Sequence, residues 1–248
     1  MSNLTWAWGP TGHRIVAEIA ENHLNHKAKK EIQKIIGKQS MAYWATWGDF
    51  VKSDPAYKHA DSWHYVNFPA DLNRTQFDLE LKNSSDKNLY KRIQLLIQDL
   101  KNRKNLTEKE NQENLYFLIH LLGDLHQPLH IGREEDMGGN KINVKWFNGN
   151  TNLHTLWDSK LIDFQKYSYS EYAHLLDIYS KKEAKHRMHG TLEDWLFDSH
   201  QKANRIYASV QPNDKLSYRY NYDHVQLLEE QLLQGGLRMA KVLNEIFG

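Results

Sequence analysis
The chain has 248 residues, with 32 Lys and Arg balanced by 31 Asp and Glu, and no cysteine. A net charge of +1 excludes broad electrostatic capture of duplex nucleic acid, and the missing thiols exclude disulfides, thiolate metal sites and cysteine nucleophiles. The longest apolar run, LYFLIHLL at 115–122, is too short to cross a bilayer.

This composition suits an ordinary globular chain, unusual only in its 14 His, 8 Trp and 13 Tyr. A short single strand gripped by metal ions and aromatic rings remains compatible with it. The opening MSNLTWA lacks the apolar stretch of a secretory signal, but TWA before Trp8 resembles the small-residue end of one. Residues 1–7 are therefore read as the remnant of a signal peptide or of cloning, with a disordered native terminus as the alternative. No repeat, low-complexity tract or linker divides the remainder, which predicts a single domain over 8–248.

Thr11 is placed to cap a first helix running to about Asn25, with Ile15, Val16, Ile19, Ala20 and Leu24 at helical spacing. KAKKEIQKII predicts a second, stopped by Gly37. Residues 41–75 are aromatic and irregular, holding YWATWGDF and DSWHYVNFPADLN. Helices are expected at about 88–103 and 109–127, the latter ended by Pro128. NKINVKW alternates Ile142, Val144 and Trp146 with polar residues, and the following Asn148-Gly149 signals a hairpin. A helix resumes near His154, and the last hundred residues add three or four more, the longest over 223–247. The fold class is mainly α, a single-domain multi-helix chain with one short β-hairpin.

The chemistry gathers in HLLGDLHQPLH at 120–130. Side chains at i and i+4 share a helix face, so His120 and Asp124 can present a ring nitrogen and a carboxylate to one point. His154 and Asp158 repeat the spacing. One such pair is weak evidence, because His130/Glu134 and His189/Glu193 show it too. A histidine hydrogen-bonded near a helix end explains a single case. Convergence carries more: a buried-looking helix supplies His120 and Asp124, its exit supplies His130, and NLHTLWD supplies His154 and Asp158. Nitrogen and oxygen donors without sulfur suit zinc, with manganese or iron as alternatives.

Six ordered motifs complete the pattern: WGPTGH at 8–13, ATWGD at 45–49, WHYVNFP at 63–69, HLLGDLHQPLH, DMGGNKINVKW at 136–146 and NLHTLWDSKL at 152–161. With them the chain resembles the zinc-dependent single-strand nucleases of the S-one/P-one family and, more distantly, bacterial zinc phospholipase C. The motifs cover the first two-thirds, and the last third offers only a compatible helical pattern. The resemblance implies a phospholipase C/nuclease-like fold and a cluster of three zinc ions. The first would be held by Asp49, His64, His120 and Asp124, and the second by His130, His154 and Asp158. The third would take His13, a bridging Asp124, and the amino nitrogen and carbonyl oxygen of Trp8, the family's mature N-terminal residue. With Ala7 attached that nitrogen is an amide, a poor ligand, so the third site is expected to be weakened, displaced or empty until cleavage after Ala7. His126 falls off the ligand positions and is read as a support for the ligands or the helix end, with Gln127 and Pro128 shaping the helix exit.

The resemblance also implies hydrolysis of single-stranded DNA or RNA to 5′-phosphate products by a metal-activated water, without a protein nucleophile, and it allows a 3′-nucleotidase activity. Asp49 and Asn67 are assigned to the catalytic step. Tyr65 would stack a base and Asn140 would contact the nucleotide, against the plainer readings of packing beside the metals and of a turn residue. Many members carry aspartate where Asn67 stands, and an amide orients water but cannot take a proton. A reduced rate or a shifted pH optimum is expected, unless the metal-activated water suffices or Asp71 substitutes. Phospholipase C action and non-catalytic zinc binding are the competing readings. A monomer without a membrane span is expected, the family and a removed signal peptide together imply a secreted or periplasmic location, and the lack of cysteine leans towards a bacterial source. The sequons at Asn3, Asn73, Asn83 and Asn105 are compatible with chance.

Overall fold
A computed structural model describes residues 8–248, so the reading of residues 1–7 lies outside the described residues. Helix α1 (Pro10–Asn22) starts one residue before the expected Thr11 cap. Pro10 has no N–H to leave unpaired and its fixed φ suits a first turn. Thr11 instead lies within that turn, its hydroxyl 3.3 Å from Asp163 Oδ1. The helix ends before Asn25 because the Asn25 side chain caps α2 (His26–Ile36), accepting from the Ala28 N–H at 2.9 Å. Gly37, at φ 72°, stops α2 as expected.

The aromatic stretch resolves into short helical pieces, α3 (Met41–Trp44), α4 (Trp47–Phe50) and a 3₁₀ segment over Pro55–His64. Unexpected from sequence, α5 (Arg74–Asn83) follows, fixed by a reciprocal Asn73–Gln76 capping box. Then come α6 (Leu89–Lys101) and α7 (Glu108–Asp124). Every residue of α7 from Leu115 to Asp124 is buried, so this helix drives its C-terminal turn into the interior.

Strands β1 (Asn143–Trp146) and β2 (Gly149–Asn152) form the expected antiparallel hairpin. Trp146 pairs with Gly149, so the turn is Phe147-Asn148, one residue earlier than predicted. A two-residue β3 (Lys215–Leu216) adds parallel to β1 and makes a three-stranded sheet.

A single helical turn α8 (Leu153–Thr155), a π turn over Leu156–Lys160 and α9 (Leu161–Phe164) follow the hairpin. The chain closes with α10 (Tyr169–Leu176), α11 (Lys181–Arg187), α12 (Leu192–Ala208) and α13 (Tyr218–Phe247). Buried apolar side chains from Trp8 to Phe247 form one contiguous cluster. At its centre α13 lies against α1, and a Cβ on Gly236 would fall 2.5 Å from Ile19 Cβ, so only glycine allows that approach.

Candidate metal centre
Five separate pieces of chain deliver side chains to the buried end of α7. His120 and Asp124 project from its last turns, both 0% exposed. His13 comes from α1 and stacks on the His120 ring at 3.9 Å. Asp49 comes from α4, and His64 ends the 3₁₀ segment. His130 sits in a 3₁₀ turn at Pro128–Ile131, while His154 and Asp158 span α8 and the π turn after it. Such π turns concentrate at functional sites. Two glycines make the crowding possible. A Cβ at Gly48 would lie 2.7 Å from the His120 ring, and one at Gly123 would lie 2.7 Å from His13 Nδ1.

Asp124 is the hub. Its Oδ2 lies 3.0 Å from His64 Nδ1 and 3.3 Å from His120 Nε2, and its Oδ1 lies 3.3 Å from His13 Nε2. Asp158 lies 3.2 Å from His154 Nε2 and 3.6 Å from His130 Nε2. Three triads place their ligand atoms within 4.8 Å of one another: His13/Asp49/His120, His64/His120/Asp124 and His130/His154/Asp158. The last triad is the set expected for the second ion. The four residues expected around the first ion are divided between the other two triads, which share His120, and His13 groups with Asp49 as well as lying near Asp124.

Backbone carbonyls set the histidine orientations. His120 Nδ1 faces Ala45 O at 2.8 Å, His130 Nδ1 faces His64 O at 2.6 Å, and His154 Nδ1 faces Gly138 O at 2.6 Å. An Nδ1–H donated to a carbonyl leaves the Nε2 lone pair for a cation, the usual support for a metal-bound imidazole. Both ring nitrogens of His13, Nε2 of His64 and of His130, and Asp124 Oδ1 are buried without a hydrogen-bond partner among the described residues. Orphaned buried polar atoms are costly, and convergent cations remove the cost. The donor set therefore fits metal ions.

Electrostatics agree. Burial lowers His13 to about 3 and His120 to about 4, and takes His64 well below its ordinary value, so these rings are neutral at physiological pH, the form in which an imidazole can bind a metal. Burial pushes the carboxyls of Asp124 and Asp158 up to about 7 each, which marks two anions lacking a matching charge. Asp49 is likewise pushed up by burial, but its electrostatic interactions with His120 and Lys52, and the hydrogen bond from Lys52, outweigh that and leave it lowered overall.

A pocket of about 240 Å³ opens beside the cluster, lined by His64, Tyr65, Asn67, His130, Asn140 and His154 among others. Tyr65 is 41% exposed at its edge, whereas Asn67 Oδ1 is buried and unpartnered. The Asn140 amide donates to Met137 O at 2.8 Å, which fixes the turn and leaves its carbonyl oxygen as an acceptor. Met137, Gly138 and Gly139 are consecutive left-handed residues, and a Cβ on Gly138 would meet Leu129 O. Asp71 does not line this pocket; Glu134 does.

His126, 0% exposed, bonds Leu122 O at 2.9 Å and reaches Arg238 at 3.4 Å, so it supports the helix end. Gln127 shapes the exit by accepting from the Leu129 N–H at 2.6 Å, and it also donates to Asp158, fixing a candidate ligand. Sequence reasoning did not single out Lys52, whose ammonium lies 2.6 Å from Asp49 Oδ1. Its one signal was the i, i+3 spacing from Asp49.

The family model for S1/P1 nuclease matches residues 8–248. The chain belongs to the S1/P1 nuclease family. Membership makes it a nuclease, and therefore an enzyme. It is 30% identical to Nuclease S1 of Aspergillus oryzae over 278 residues, covering 99% of this chain and 94% of that protein. Endonuclease 2 of Arabidopsis thaliana is 29% identical over 266 residues, covering 97% and 91%. Among solved structures, alpha toxin from Clostridium absonum aligns over 98% of this chain and 67% of its own, with a TM-score of 0.51 and 19% identity. That likeness shows a shared helical fold. No helix among the described residues is long and apolar enough to cross a membrane.

Proposed function
We propose that this nuclease is a zinc-dependent phosphodiesterase that cleaves single-stranded DNA or RNA to 5′-phosphate products and also removes phosphate from 3′-nucleotides. It would act as a secreted or periplasmic monomer, with residues 8–248 as its single domain. The observation that carries this reading is the buried set of orphaned nitrogen and oxygen donors opening onto a small pocket with an exposed tyrosine at its rim.

His13, Asp49, His64, His120, Asp124, His130, His154 and Asp158 would hold three zinc ions, with the Trp8 backbone completing the third site. Trp8 is fully buried, and the N–H of its neighbour Gly9 donates to Asp158 O at 2.7 Å, which ties this stretch to the ligand segment. When bound, such ions supply Lewis acidity and a water activated at neutral pH. The chain's own groups do the rest. The Tyr65 ring stacks an unstacked base, worth roughly 1–3 kcal/mol and tolerant of sequence, which favours single strands. Asn140 orients the nucleotide through its free carbonyl oxygen. Asn67 orients a water or phosphate oxygen without taking a proton. Lys52 places a fixed cation beside Asp49, which helps to keep that carboxylate ionised as a donor.

The test is zinc-reconstituted protein offered denatured DNA, RNA, a 3′-nucleotide and a phosphatidylcholine vesicle, with end groups determined. Cleavage of nucleic acid to 5′-phosphates is expected. Turnover of the phospholipid alone would transfer the site to phospholipase C chemistry. Bound zinc with no turnover of any substrate would leave a zinc-binding protein.

A further inference from the structure
A second concavity, of about 920 Å³, shares no lining residue with the metal pocket. Lys182, His186, Arg187, His189 and Arg238 line it, with Glu183 as the one carboxylate among its lining residues. The segment behind it, KKEAKHRMH at 181–189, holds four Lys and Arg against one Glu, a local charge of +3 in a chain whose total is +1.

Those cations are not spent internally. The Glu183 carboxylate is turned back into a capping box, accepting from the Ser180 N–H at 2.9 Å and its hydroxyl at 2.6 Å. Among the described residues, no carboxylate lies within ion-pair distance of Lys181, Lys182, Lys185 or Arg187, although ten other Lys and Arg residues are so paired. Arg187 is held over the Tyr179 ring at 4.1 Å, so its fork is ordered before any ligand arrives. At the wall, Arg238 is only 8% exposed. It shares Asp198 with Lys202, and its Nε has no hydrogen-bond partner among the described residues.

We propose that this cleft binds the phosphodiester backbone of a single strand, as a second contact separate from the metal pocket. The proposal rests on the nuclease reading for its choice of polymer. Exposed cations on one short helix suit sequence-independent backbone contact. The aromatic face nearby is covered by Arg187, so the cleft offers charge rather than base stacking. A strand held here raises the local concentration of its remaining phosphates at the metal pocket, so long strands are bound better than dinucleotides.

The test compares zinc-loaded wild type with Lys182→Ala/Arg187→Ala, and with Lys182→Glu at an exposed position as a second variant. A fluorescent phosphorothioate single strand reports binding by anisotropy, and a dinucleotide reports turnover at the metal centre. Both variants are expected to bind the strand about tenfold more weakly at low salt, and the double variant's log–log salt slope should be shallower by about 1.4. KM for long strands should rise while kcat and dinucleotide turnover hold. Unchanged strand binding with intact dinucleotide turnover would overturn the cleft and leave the nuclease standing. Displacement of the strand by micromolar inorganic phosphate would also overturn it, by making the ligand a phosphate monoester. Cleft-dependent binding in a protein that cleaves no phosphodiester would keep the cleft and remove the nuclease reading.

Discussion

Asp124→Asn should make the chelated protein more stable and the zinc-loaded protein less stable. Burial raises the Asp124 carboxyl from 3.8 to about 7 in the folded chain. One pKa unit is worth about 1.36 kcal/mol, so the ionised, metal-free carboxylate costs the fold about 4 kcal/mol. Below pH 3.8 the carboxyl is protonated in both folded and unfolded chains and the cost is absent. As pH rises the unfolded chain releases its proton first, and stability falls until the folded carboxyl ionises near pH 7. The amide has no such titration but remains a buried polar group, worth about 1–3 kcal/mol if imperfectly paired.

The chelated variant should therefore exceed wild type by roughly 1–3 kcal/mol at pH 8, and match or trail it near pH 4–5. With zinc the order inverts, since a thousandfold excess over Kd adds about 4 kcal/mol to the protein that binds and the variant loses the hub ligand. Urea unfolding followed by tryptophan fluorescence, at both pH values, with chelator and with zinc, reads all four quantities. A difference between variant and wild type that ignores pH, or equal stabilisation of both by zinc, would refute the placement of Asp124 at the centre of the cluster.

Asn67→Asp should raise kcat about tenfold at neutral pH, at or below the low end of what a positioned proton acceptor supplies because the metals already activate water; a fall in kcat would show that the amide is the better group here. Tyr65→Ala should raise KM for denatured DNA roughly tenfold and leave the thermal midpoint unchanged, since the ring is 41% exposed; unchanged KM would reduce Tyr65 to packing. Beginning the chain at Trp8 should increase both the zinc bound per protein and the turnover, measured side by side with the full chain, and equal values would remove the amine from the third site.

The clustering of these donors is legible because few residue types bind metal and their spacing is fixed by helical geometry. His120 with Asp124, and His154 with Asp158, repeat the i, i+4 step, and the buried stretch around the first pair made its polar atoms conspicuous. What held those ligands was not legible. Gln127 reaches Asp158 across 31 positions, and the Nδ1 contacts of His120, His130 and His154 all end on backbone carbonyls, which carry no residue signature. Helix α5 was hidden because only Phe77 and Leu81 are buried on it, too thin an apolar stripe to register. Strand β3 is two residues long, and only its pairing with β1 makes it a strand. Helix α1 begins before Thr11 because Pro10 takes its first position after Gly9, and it ends before Asn25 because that side chain caps α2. The charge of KKEAKHR was plain in composition, but a net charge near zero concealed that these cations go unpaired.

If the buried donors hold the metal ions that run phosphodiester cleavage, bound metal and activity must rise together. Zinc titrated into chelated protein, with metal content, cleavage of a single-stranded oligonucleotide and product ends followed together, measures both. Cleavage should be absent in chelator, return in step with bound zinc, and leave 5′-phosphates. Zinc binding without cleavage, or cleavage that persists in chelator, would contradict that link.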